Sequence, residues 1–432
     1  MNKRKKTVFV ITQFYPPDFA PTGQLIQELI TSFDQVEHEI KVFAGQPSYA
    51  YSQPMTVSFE KKNGIYIQRT RSTKLWSNRI RGKSINGILF CLRVMVYGLK
   101  NLKKDDALIL TTAPPFLSIV GYLFKYLKGI SYFCIIYDLY PDVAVQLGAV
   151  SKNNWLVKLW DKFNRKIWQQ AEQIIVLSSS MKRQILKKHT ELADKISIIH
   201  NWADPNAIVE IEKSQNWFAL KHKLVDKFTV LYSGNMGRCH DMETIMQAAR
   251  NLQYQEIQFV FIGSGSGTEI CQELAKKWNL KNCLFLPYQN KEDIPYSLTA
   301  CDLSLVSIKK GMEGVIAPSK FYSALASGRP IAAICQDNSY LAQIIRQAKC
   351  GEVFENGNSN GLAEFIQKLS SDPQLAQKMG HSGRLHLESN YTPEIIAQQY
   401  SHVLQLDKTQ AIPTRTSLQK AELIFSDSHS NE

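Results

Sequence analysis

A cluster of polar residues and glycines in the second half of the chain has the composition of an anion-binding turn. It occupies residues 232–241 and follows an apolar run that predicts a strand. Its members of interest are Gly234, Asn235, Gly237, Arg238 and His240. Glycines let the backbone approach a ligand closely, and the N-terminus of the following helix attracts anions. Arg238 can form two parallel hydrogen bonds with a phosphate, and His240 can add another. The alternative is a plain strand–helix turn with Arg238 on the surface and His240 capping the turn.

A second cluster, at residues 313–330, places a lysine where a helix should begin. Pro318 followed by Ser319 predicts a helix start with Ser319 as the N-cap, so Lys320 lies in the first turn. A cation there opposes the helix dipole unless an anion lies nearby. Together with the acidic Glu313, this placement indicates a ligand site. The alternative is a surface lysine whose ammonium group lies in water.

Both clusters lie within a regular alternation of strands and helices. Short apolar runs predict strands at residues 8–11, 39–43, 107–111, 132–137, 173–177 and 196–200, and again at 228–232, 259–262, 284–286, 303–306, 330–334 and 351–354. Strands that are apolar on both faces are typical of parallel sheets covered by helices. The sequence therefore predicts an α/β fold with two Rossmann-like, doubly wound parallel-sheet domains that face each other. The cleft between them suits a phosphorylated ligand.

Several motifs in a fixed order carry a resemblance to a known family. They are residues 13–17 with Gly23, 137–142, 201–202, 233–238 and 318–320. With these motifs the chain resembles the family-4 (group 1) retaining glycosyltransferases of the GT-B fold, in the branch of bacterial polysaccharide and O-antigen sugar transferases. The resemblance spans roughly residues 7–405.

The resemblance implies roles for individual residues. Arg238 and Lys320 would bind the donor diphosphate and stabilise the charge that develops on the leaving nucleoside diphosphate, without a metal or other cofactor. Glu313 would hold the donor sugar, and Asp138 lies where the family places a polar residue at the sugar carbon that reacts. The loop of Gly23 would close under the diphosphate. The other implied donor-binding residues are Gly234, Asn235, Gly237, His240, Gly263, Pro287, Tyr288, Ser319 and Ser323, of which Pro287 and Tyr288 would lie against the nucleotide base.

Two features depart from the family pattern. Many relatives carry a second glutamate three residues after the lysine, which grips the nucleotide ribose, whereas this chain has Ser323 there. A serine is short and neutral, which leaves donor affinity and nucleotide identity open. The glycine-rich residues 263–267 do not fit a dinucleotide-binding motif, because Thr268 occupies the third glycine position. We expect Gly263 to form a strand–helix turn close to the donor.

The domain boundaries follow from this reading. We expect an N-terminal, acceptor-side Rossmann-like domain over residues 1–200 and a nucleotide-sugar donor domain over residues 201–392. A helix over residues 393–407 is expected to pack back onto the first domain. The polar residues 408–432 are expected to be a disordered tail.

The formal charge of +13 is unevenly distributed. Residues 1–200 hold 29 Lys and Arg against 14 Asp and Glu, whereas residues 201–432 hold 22 against 24. This asymmetry predicts a polyanionic partner for the first half. Basic residues alternate with aromatic and aliphatic ones at 74–83 and 155–168, a composition that suits a helix lying on anionic lipid. The alternative is a solvated helix face whose aromatic residues pack on the sheet. Nucleic acid is disfavoured, because no recognition motif accompanies the charge.

The cysteines and the hydropathy pattern narrow the class further. None of the eight cysteines forms a C-x-x-C pair, which excludes zinc-ribbon and thioredoxin-like proteins. No window of about 18 apolar residues predicts a transmembrane helix. We therefore expect reduced cysteines and a cytoplasmic enzyme that is peripherally associated with the inner face of the plasma membrane.

The function predicted from the resemblance is transfer of a sugar from a nucleotide-sugar donor to a glycan or a polyprenyl-linked acceptor in cell-surface polysaccharide synthesis. Retention at the anomeric carbon is implied by the family alone. One alternative is a nucleotide-sugar epimerase of the same fold. The other is a non-catalytic homologue that binds a sugar nucleotide or a lipid, which Ser323 brings into consideration.

Overall fold

The computed structural model describes residues 6–18, 20–33, 38–47, 55–71 and 80–406 of the 432-residue chain. The predicted tail at residues 408–432 lies outside the described residues. So do residues 72–79, which make up most of the first basic stretch.

The first half folds around an eight-stranded sheet. Its strands are β1 (Lys6–Ile11), β2 (His38–Gly45), β3 (Phe59–Lys62), β4 (Ile65–Thr70), β5 (Ala107–Thr111), β6 (Ser131–Ile136), β7 (Gln173–Val176) and β8 (Ile196–Ile198). They lie in the order β3-β4-β2-β1-β5-β6-β7-β8. All neighbours are parallel except β3 and β4, which form an antiparallel hairpin. The helices of this half are α1 (Pro21–Thr31), α2 (Ile80–Asn101), α3 (Ser118–Lys128), α4 (Asp142–Gln146), α5 (Trp155–Gln170) and α6 (Ser179–Leu186).

The second half contains a six-stranded sheet that is parallel throughout. Its strands are β9 (Phe228–Ser233), β10 (Ile257–Ile262), β11 (Cys283–Leu286), β12 (Leu303–Ser307), β13 (Ile331–Ile334) and β14 (Gly351–Phe354), in the order β11-β10-β9-β12-β13-β14. The helices that follow α6 are α7 (Trp217–Lys221), α8 (Met242–Asn251), α9 (Thr268–Lys277), α10 (Ile294–Thr299), α11 (Lys320–Ala326), α12 (Tyr340–Ala348), α13 (Ser359–Ser371), α14 (Pro373–Asn390) and α15 (Pro393–Val403).

The predicted fold class is confirmed: the chain is an α/β protein with two mainly parallel sheets in the GT-B arrangement. The central strands are buried on both faces because helices cover both sides of each sheet. The sequence interpretation missed the β3–β4 hairpin. Its signal is the dipeptide Asn63-Gly64, whose residues have φ of +50° and +77°, as a two-residue hairpin turn requires.

The last helix lies against the first. α15 packs on α1, which belongs to the first half of the chain. Beside this contact, the Trp202 indole Nε1 donates a hydrogen bond to Glu28 Oε2 at 3.0 Å, and its ring meets the buried Tyr400 edge-on. The chain thus crosses to the second sheet near residue 202 and returns to the first half at its end. No helix among the described residues is long and apolar enough to cross a membrane, and all eight cysteines are free thiols.

Candidate active site

Two glycine turns pack against each other at the carboxyl ends of β9 and β10. Gly234 has φ of +115° and Gly263 has φ of +126°, conformations that side chains disfavour. A Cβ on Gly263 would lie 2.3 Å from the carbonyl oxygen of Gly234. The amide of Gly263 also donates to the carbonyl of Leu286 at the end of β11. The backbone at these three strand ends therefore forms one closely packed shelf.

The glycine-rich residues 263–267 serve this packing. Met236 donates its amide to the carbonyl of Ser264 at 3.1 Å, and Gly267 donates to the carbonyl of Met236 at 2.7 Å. A Cβ on Gly265 would lie 2.5 Å from Asn235 Oδ1. These residues hold the two turns together, as expected for a strand–helix turn and not for a dinucleotide motif.

Pro287 and Tyr288 lie beside the shelf, directly after β11. Tyr288 is 44% exposed, and its hydroxyl donates to the carbonyl of Ser264 at 3.2 Å. The carbonyl of Pro287 accepts a hydrogen bond from Gln289 Nε2 at 2.7 Å. The half-exposed phenol ring is thus held over the Gly263 turn, where a planar ligand group could stack on it.

Lys320 reaches from the start of α11 onto the same shelf. Its Nζ donates to the hydroxyl of Tyr232 at 2.5 Å and to the carbonyl of Asn235 at 3.1 Å. The ammonium group also lies 3.8 Å from the centroid of the Tyr232 ring, within the range of a cation–π interaction. Burial lowers the pKa of Lys320 well below its ordinary value. Lys320 forms no ion pair with any residue that the structure describes, so its charge is available to an anion.

Glycine at position 234 is explained by its φ of +115°, and the position lies directly beside this lysine. A Cβ there would lie 3.6 Å from Lys320 Cε and 3.8 Å from Nζ. Gly237 has no positive φ, and a Cβ there would lie 3.2 Å from Asn235 Nδ2, a side-chain atom. Tyr232, the platform under the ammonium group, was not singled out from the sequence. Its signal is an aromatic residue at the end of a strand, immediately before a glycine turn.

The helix start at Lys320 is as predicted, but the predicted cap is wrong. Ser319 occupies the N-cap position with helical backbone angles, φ −63° and ψ −27°, and its side chain caps no amide of α11. A capping serine needs extended angles to turn its hydroxyl toward the N2 or N3 amide. Ser323 lies one turn later, and its hydroxyl donates to the carbonyl of Lys320 at 3.1 Å.

His240 is held in a single hydrogen-bonded orientation. Its Nδ1 lies 2.7 Å from the carbonyl oxygen of Ser307 at the end of β12. A carbonyl only accepts hydrogen bonds, so Nδ1 carries the proton and the neutral ring presents Nε2 as an acceptor. Burial, followed by the nearby Lys320 charge, lowers the pKa of His240 to about 3. The ring is therefore neutral at physiological pH. The alternative prediction, that its side chain caps the turn, is not what the structure shows.

Arg238 is exposed beside this cluster. It makes no hydrogen bond or ion pair with any residue within the described ranges. The side chain therefore keeps all its donors available at the edge of the glycine turn.

Glu313 lies in the loop between β12 and α11. Its carboxylate accepts hydrogen bonds from two backbone amides, those of Gly311 at 3.2 Å and Gln336 at 3.0 Å. Burial raises its pKa above the ordinary value despite these bonds. Two amides leave acceptor capacity on the carboxylate for the hydroxyl groups of a ligand.

Asp138 follows β6 and comes from the opposite half of the molecule. Its amide and that of Tyr137 both donate to the hydroxyl oxygen of Thr112, a positioning contact that sequence reasoning missed. Burial raises the pKa of Asp138 to about 6. A small cavity next to it is lined by Thr112, Ser118, Asn164 and Trp168 among others. Burial, and after it the charge of Asp138, raises the pKa of Cys239, the residue after Arg238, to about 11.

Gly23 belongs to the first half of the chain. It lies in the first turn of α1 and not in the loop that the resemblance implied. A Cβ there would lie 2.8 Å from the carbonyl oxygen of Phe14 and 3.1 Å from Tyr15 Cα. Glycine is needed at this position so that α1 can pack on the segment after β1.

The structure thus brings many of the predicted residues into two groups. Lys320, Asn235, His240 and Tyr288 lie at the shelf that Gly234 and Gly263 form, whereas Asp138 and Glu313 are each bridged through the backbone to Ile316. Gly23 has no described contact with them. Among the described residues, no group of three or more His, Cys, Asp or Glu side chains is placed to hold a metal ion.

The sequence of the second half matches a known family. Residues 214–386 match the profile of the "Glycosyl transferases group 1" family, and this range contains the glycine turn, Arg238, Glu313 and Lys320. The chain carries a group 1 glycosyltransferase domain. It is a nucleotide-sugar-dependent glycosyltransferase, EC class 2.4.

Two relatives match this glycosyltransferase beyond the second half. WbjE of Pseudomonas aeruginosa, named as a glycosyltransferase, is 23% identical over 398 residues, which cover 91% of this chain and 96% of WbjE. WcaI of Escherichia coli K12, assigned by its name to colanic acid biosynthesis, is 22% identical over 331 residues, 73% of this chain and 79% of WcaI.

A solved structure shows the same fold. HepE of Anabaena, crystallised with UDP and glucose, superposes with a TM-score of 0.69 at 13% identity, over 93% of this chain and 100% of HepE. At this identity the likeness concerns the fold of the glycosyltransferase alone.

Proposed function

We propose that this glycosyltransferase transfers a sugar from a nucleoside diphosphate donor to a glycan or a polyprenyl-linked acceptor in the synthesis of a cell-surface polysaccharide. The observation that carries the proposal is Lys320, a half-buried cation at a helix start with no acidic partner among the described residues. The name of WcaI supports a polysaccharide product, and the UDP bound to HepE supports a nucleoside diphosphate donor.

The diphosphate of the donor would lie on the glycine shelf. Lys320 approaches it from α11 and Arg238 from the turn after β9, so two cations meet the phosphates from different directions. When the bond between the anomeric carbon and the phosphate oxygen breaks, negative charge develops on the leaving diphosphate. Preorganised cations stabilise that charge more than they stabilise the bound donor. The acceptor hydroxyl oxygen forms the new glycosidic bond and its proton passes to the departing phosphate oxygen, with retention at the anomeric carbon as in the family.

The sugar would lie between Glu313 and Asp138. Two amides hold the Glu313 carboxylate in place. Its remaining acceptor capacity would take hydrogen bonds from hydroxyl groups of the sugar. His240 would also accept from a hydroxyl group, since its Nδ1 proton is engaged with Ser307. We propose this acceptor role in place of a hydrogen bond donated to the phosphate. Tyr288 would stack on the nucleotide base, and Ser323 would lie towards the ribose.

A donor panel tests the proposal. A true donor stabilises the protein by mass action, so nucleoside diphosphates and their sugars are compared by thermal shift, beginning with UDP and UDP-glucose. Release of nucleoside diphosphate is then followed with a candidate acceptor for the wild type, for Arg238→Ala and for Lys368→Ala. Lys368 is an exposed lysine on α13 and serves as the control. Release that is unchanged in Arg238→Ala would contradict the assigned site.

The same experiment separates the alternatives. An epimerase would isomerise the sugar of the donor without releasing nucleoside diphosphate. A non-catalytic homologue would show the thermal shift and neither reaction.

The partner on the acceptor side is proposed to be an anionic membrane surface. Some aromatic residues of α5 pack inward and others face outward. Trp160 stacks on Tyr140 and Trp168 is buried. By contrast, Trp155 is 69% exposed and Phe163 is 50% exposed. Leu156 and Leu159 are exposed on the same side as Trp155 and Phe163. The lysines of this face, Lys158, Lys162 and Lys166, are exposed and form no ion pair within the described part of the chain.

The neighbouring helices extend this face. α3 packs between α2 and α5, and α2 exposes Ile88, Leu92, Val96 and Leu99 at spacings of three and four residues. Apolar side chains flanked by lysines fit the headgroup region of a bilayer with anionic lipid. Co-sedimentation with vesicles, with and without anionic lipid and across salt concentration, tests this. Failure to bind anionic vesicles at low salt would exclude the membrane partner.

A further inference from the structure

The loop that carries Glu313 is paired with the segment that carries Asp138. The amide of Leu139 donates to the carbonyl of Val315 at 2.9 Å, and Asp138 forms an antiparallel bridge with Ile316. Ile316 is also bridged to Glu313 within its own loop. One short stretch of backbone therefore sets the positions of two carboxylates that come from different halves of the molecule.

A glycine makes this contact possible. Gly314 has φ of +74°, and a Cβ on it would lie 2.5 Å from the carbonyl oxygen and 2.9 Å from the carbonyl carbon of Ser180. Ser180 belongs to α6, in the first half. The collision would be with backbone atoms, which a rotamer change cannot relieve.

Ser180 is itself firmly held. Its hydroxyl accepts hydrogen bonds from the amide of Tyr340 at 3.0 Å and from Arg183 at 2.9 Å, and the same guanidinium donates to the carbonyl of Asn338 at 3.0 Å. These bonds join α6 to the start of α12 in the second half. Because Ser180 is buried and fixed on both sides, a side chain at position 314 would separate the two halves at this point.

We propose that Gly314 is a positioning residue for sugar transfer: it lets the Glu313 loop dock on Ser180, and the docking sets Asp138 opposite Glu313 across the donor sugar. The proposal rests on the proposed function. It separates two properties of the enzyme. Binding of a nucleoside diphosphate uses Lys320, Arg238 and the glycine shelf, all in the second half, whereas transfer needs both halves in contact.

The test compares Gly314→Ala with Gly357→Ala. Gly357 has a similar φ of +91°, and a Cβ there would meet no atom within 4 Å. Both variants carry the strain of alanine at positive φ, and only one carries the collision. Ser180→Ala is a milder second variant, because it removes the hydroxyl that accepts from Tyr340 and leaves the backbone free to dock.

Three measurements are made on the full chain: the thermal shift with UDP, kcat and KM for transfer, and the radius of gyration by small-angle X-ray scattering with UDP present. For Gly314→Ala we expect a UDP affinity within about threefold of the wild type, a fall in kcat of about 100-fold and a larger radius of gyration. Ser180→Ala should show a smaller fall in kcat, and Gly357→Ala should match the wild type in kcat.

Some results would overturn the proposal. Wild-type kcat in Gly314→Ala would do so, as would loss of UDP binding in step with kcat, which would place the damage in the donor pocket. Equal losses of kcat in Gly314→Ala and Gly357→Ala would show that backbone strain, and not the collision with Ser180, causes the loss. The scattering measurement does not depend on the reaction. If the wild type showed no transfer activity, the proposed function would be contradicted. The radius of gyration of Gly314→Ala would still test the docking.

Discussion

Positive charge is used differently in the two halves of the molecule. On α5, Lys158, Lys162 and Lys166 are exposed. In the second half, where acidic residues outnumber basic ones by 24 to 22, Lys320 lies against the ring of Tyr232. A half-buried cation is screened less and interacts more strongly with an anion than a solvated one does. The sum of charges therefore predicts a surface for a polyanion, and the surroundings of a single cation predict the donor site.

The largest expected effect comes from removing the half-buried cation. Lys320→Ala should lower kcat/KM for transfer by about 10²–10³-fold, the usual effect of losing one preorganised group that stabilises transition-state charge. Lys162→Ala on α5 should leave transfer to a soluble acceptor unchanged. Steady-state kinetics of both variants, with thermal unfolding to establish that they fold, check this. Similar losses of kcat/KM in the two variants would show that the half-buried lysine and the exposed lysine do not differ in their role in transfer.

An intermediate effect is expected when the solvated charges are removed. Each lysine near an anionic bilayer contributes about 1 kcal/mol, so the double variant Lys162→Gln with Lys166→Gln should bind anionic vesicles about 30-fold more weakly. The matched control is Lys276→Gln with Lys277→Gln, two exposed lysines at the end of α9. Equal weakening by both pairs would show that binding follows net charge alone.

The smallest effect concerns pH. Burial lowers the pKa of Lys320 in the free protein, and a bound diphosphate raises it again, so binding favours the protonated amine. Donor affinity should be complete below the free-state pKa and decrease as pH rises through it, by at most about tenfold per pH unit. Titration with a nucleotide sugar, whose phosphates do not ionise in this range, gives the profile. In Lys320→Met the profile should be flat, and a slope that persists there would assign the titration to another group.

The strand pattern was the most predictable part of the fold. Parallel strands covered on both faces must be apolar throughout, and for this reason β5, β6 and β10 are visible as short apolar runs. The β3–β4 hairpin was not predicted because β3 lies at the edge of the sheet. Its residues, such as Lys61 and Lys62, are exposed and form no apolar run.

The site was predictable only in part. Lys320 was identified because a cation at a helix start is locally unfavourable, a conflict that can be read from neighbouring residues. Gly23 was placed in a loop because a glycine signals either a turn or close packing, and only the contact with Phe14 shows which one applies. The cap assigned to Ser319 failed because backbone angles at the N-cap depend on how the preceding loop is held.

By itself, the sequence determined the strand–helix alternation, the membership in a family and the residue types that could meet a diphosphate, since these depend on order and spacing along the chain. Tertiary structure decided which nitrogen of His240 carries the proton, which faces of α5 are covered, and that the Glu313 loop docks on the first half through Gly314, with Asp138 and Glu313 both paired to Ile316. The physical reason is that each of these depends on atoms more than 60 residues away in the chain or on another layer of the fold: Ser307 for His240, Tyr140 and Phe116 for Trp160, and Ser180 for Gly314.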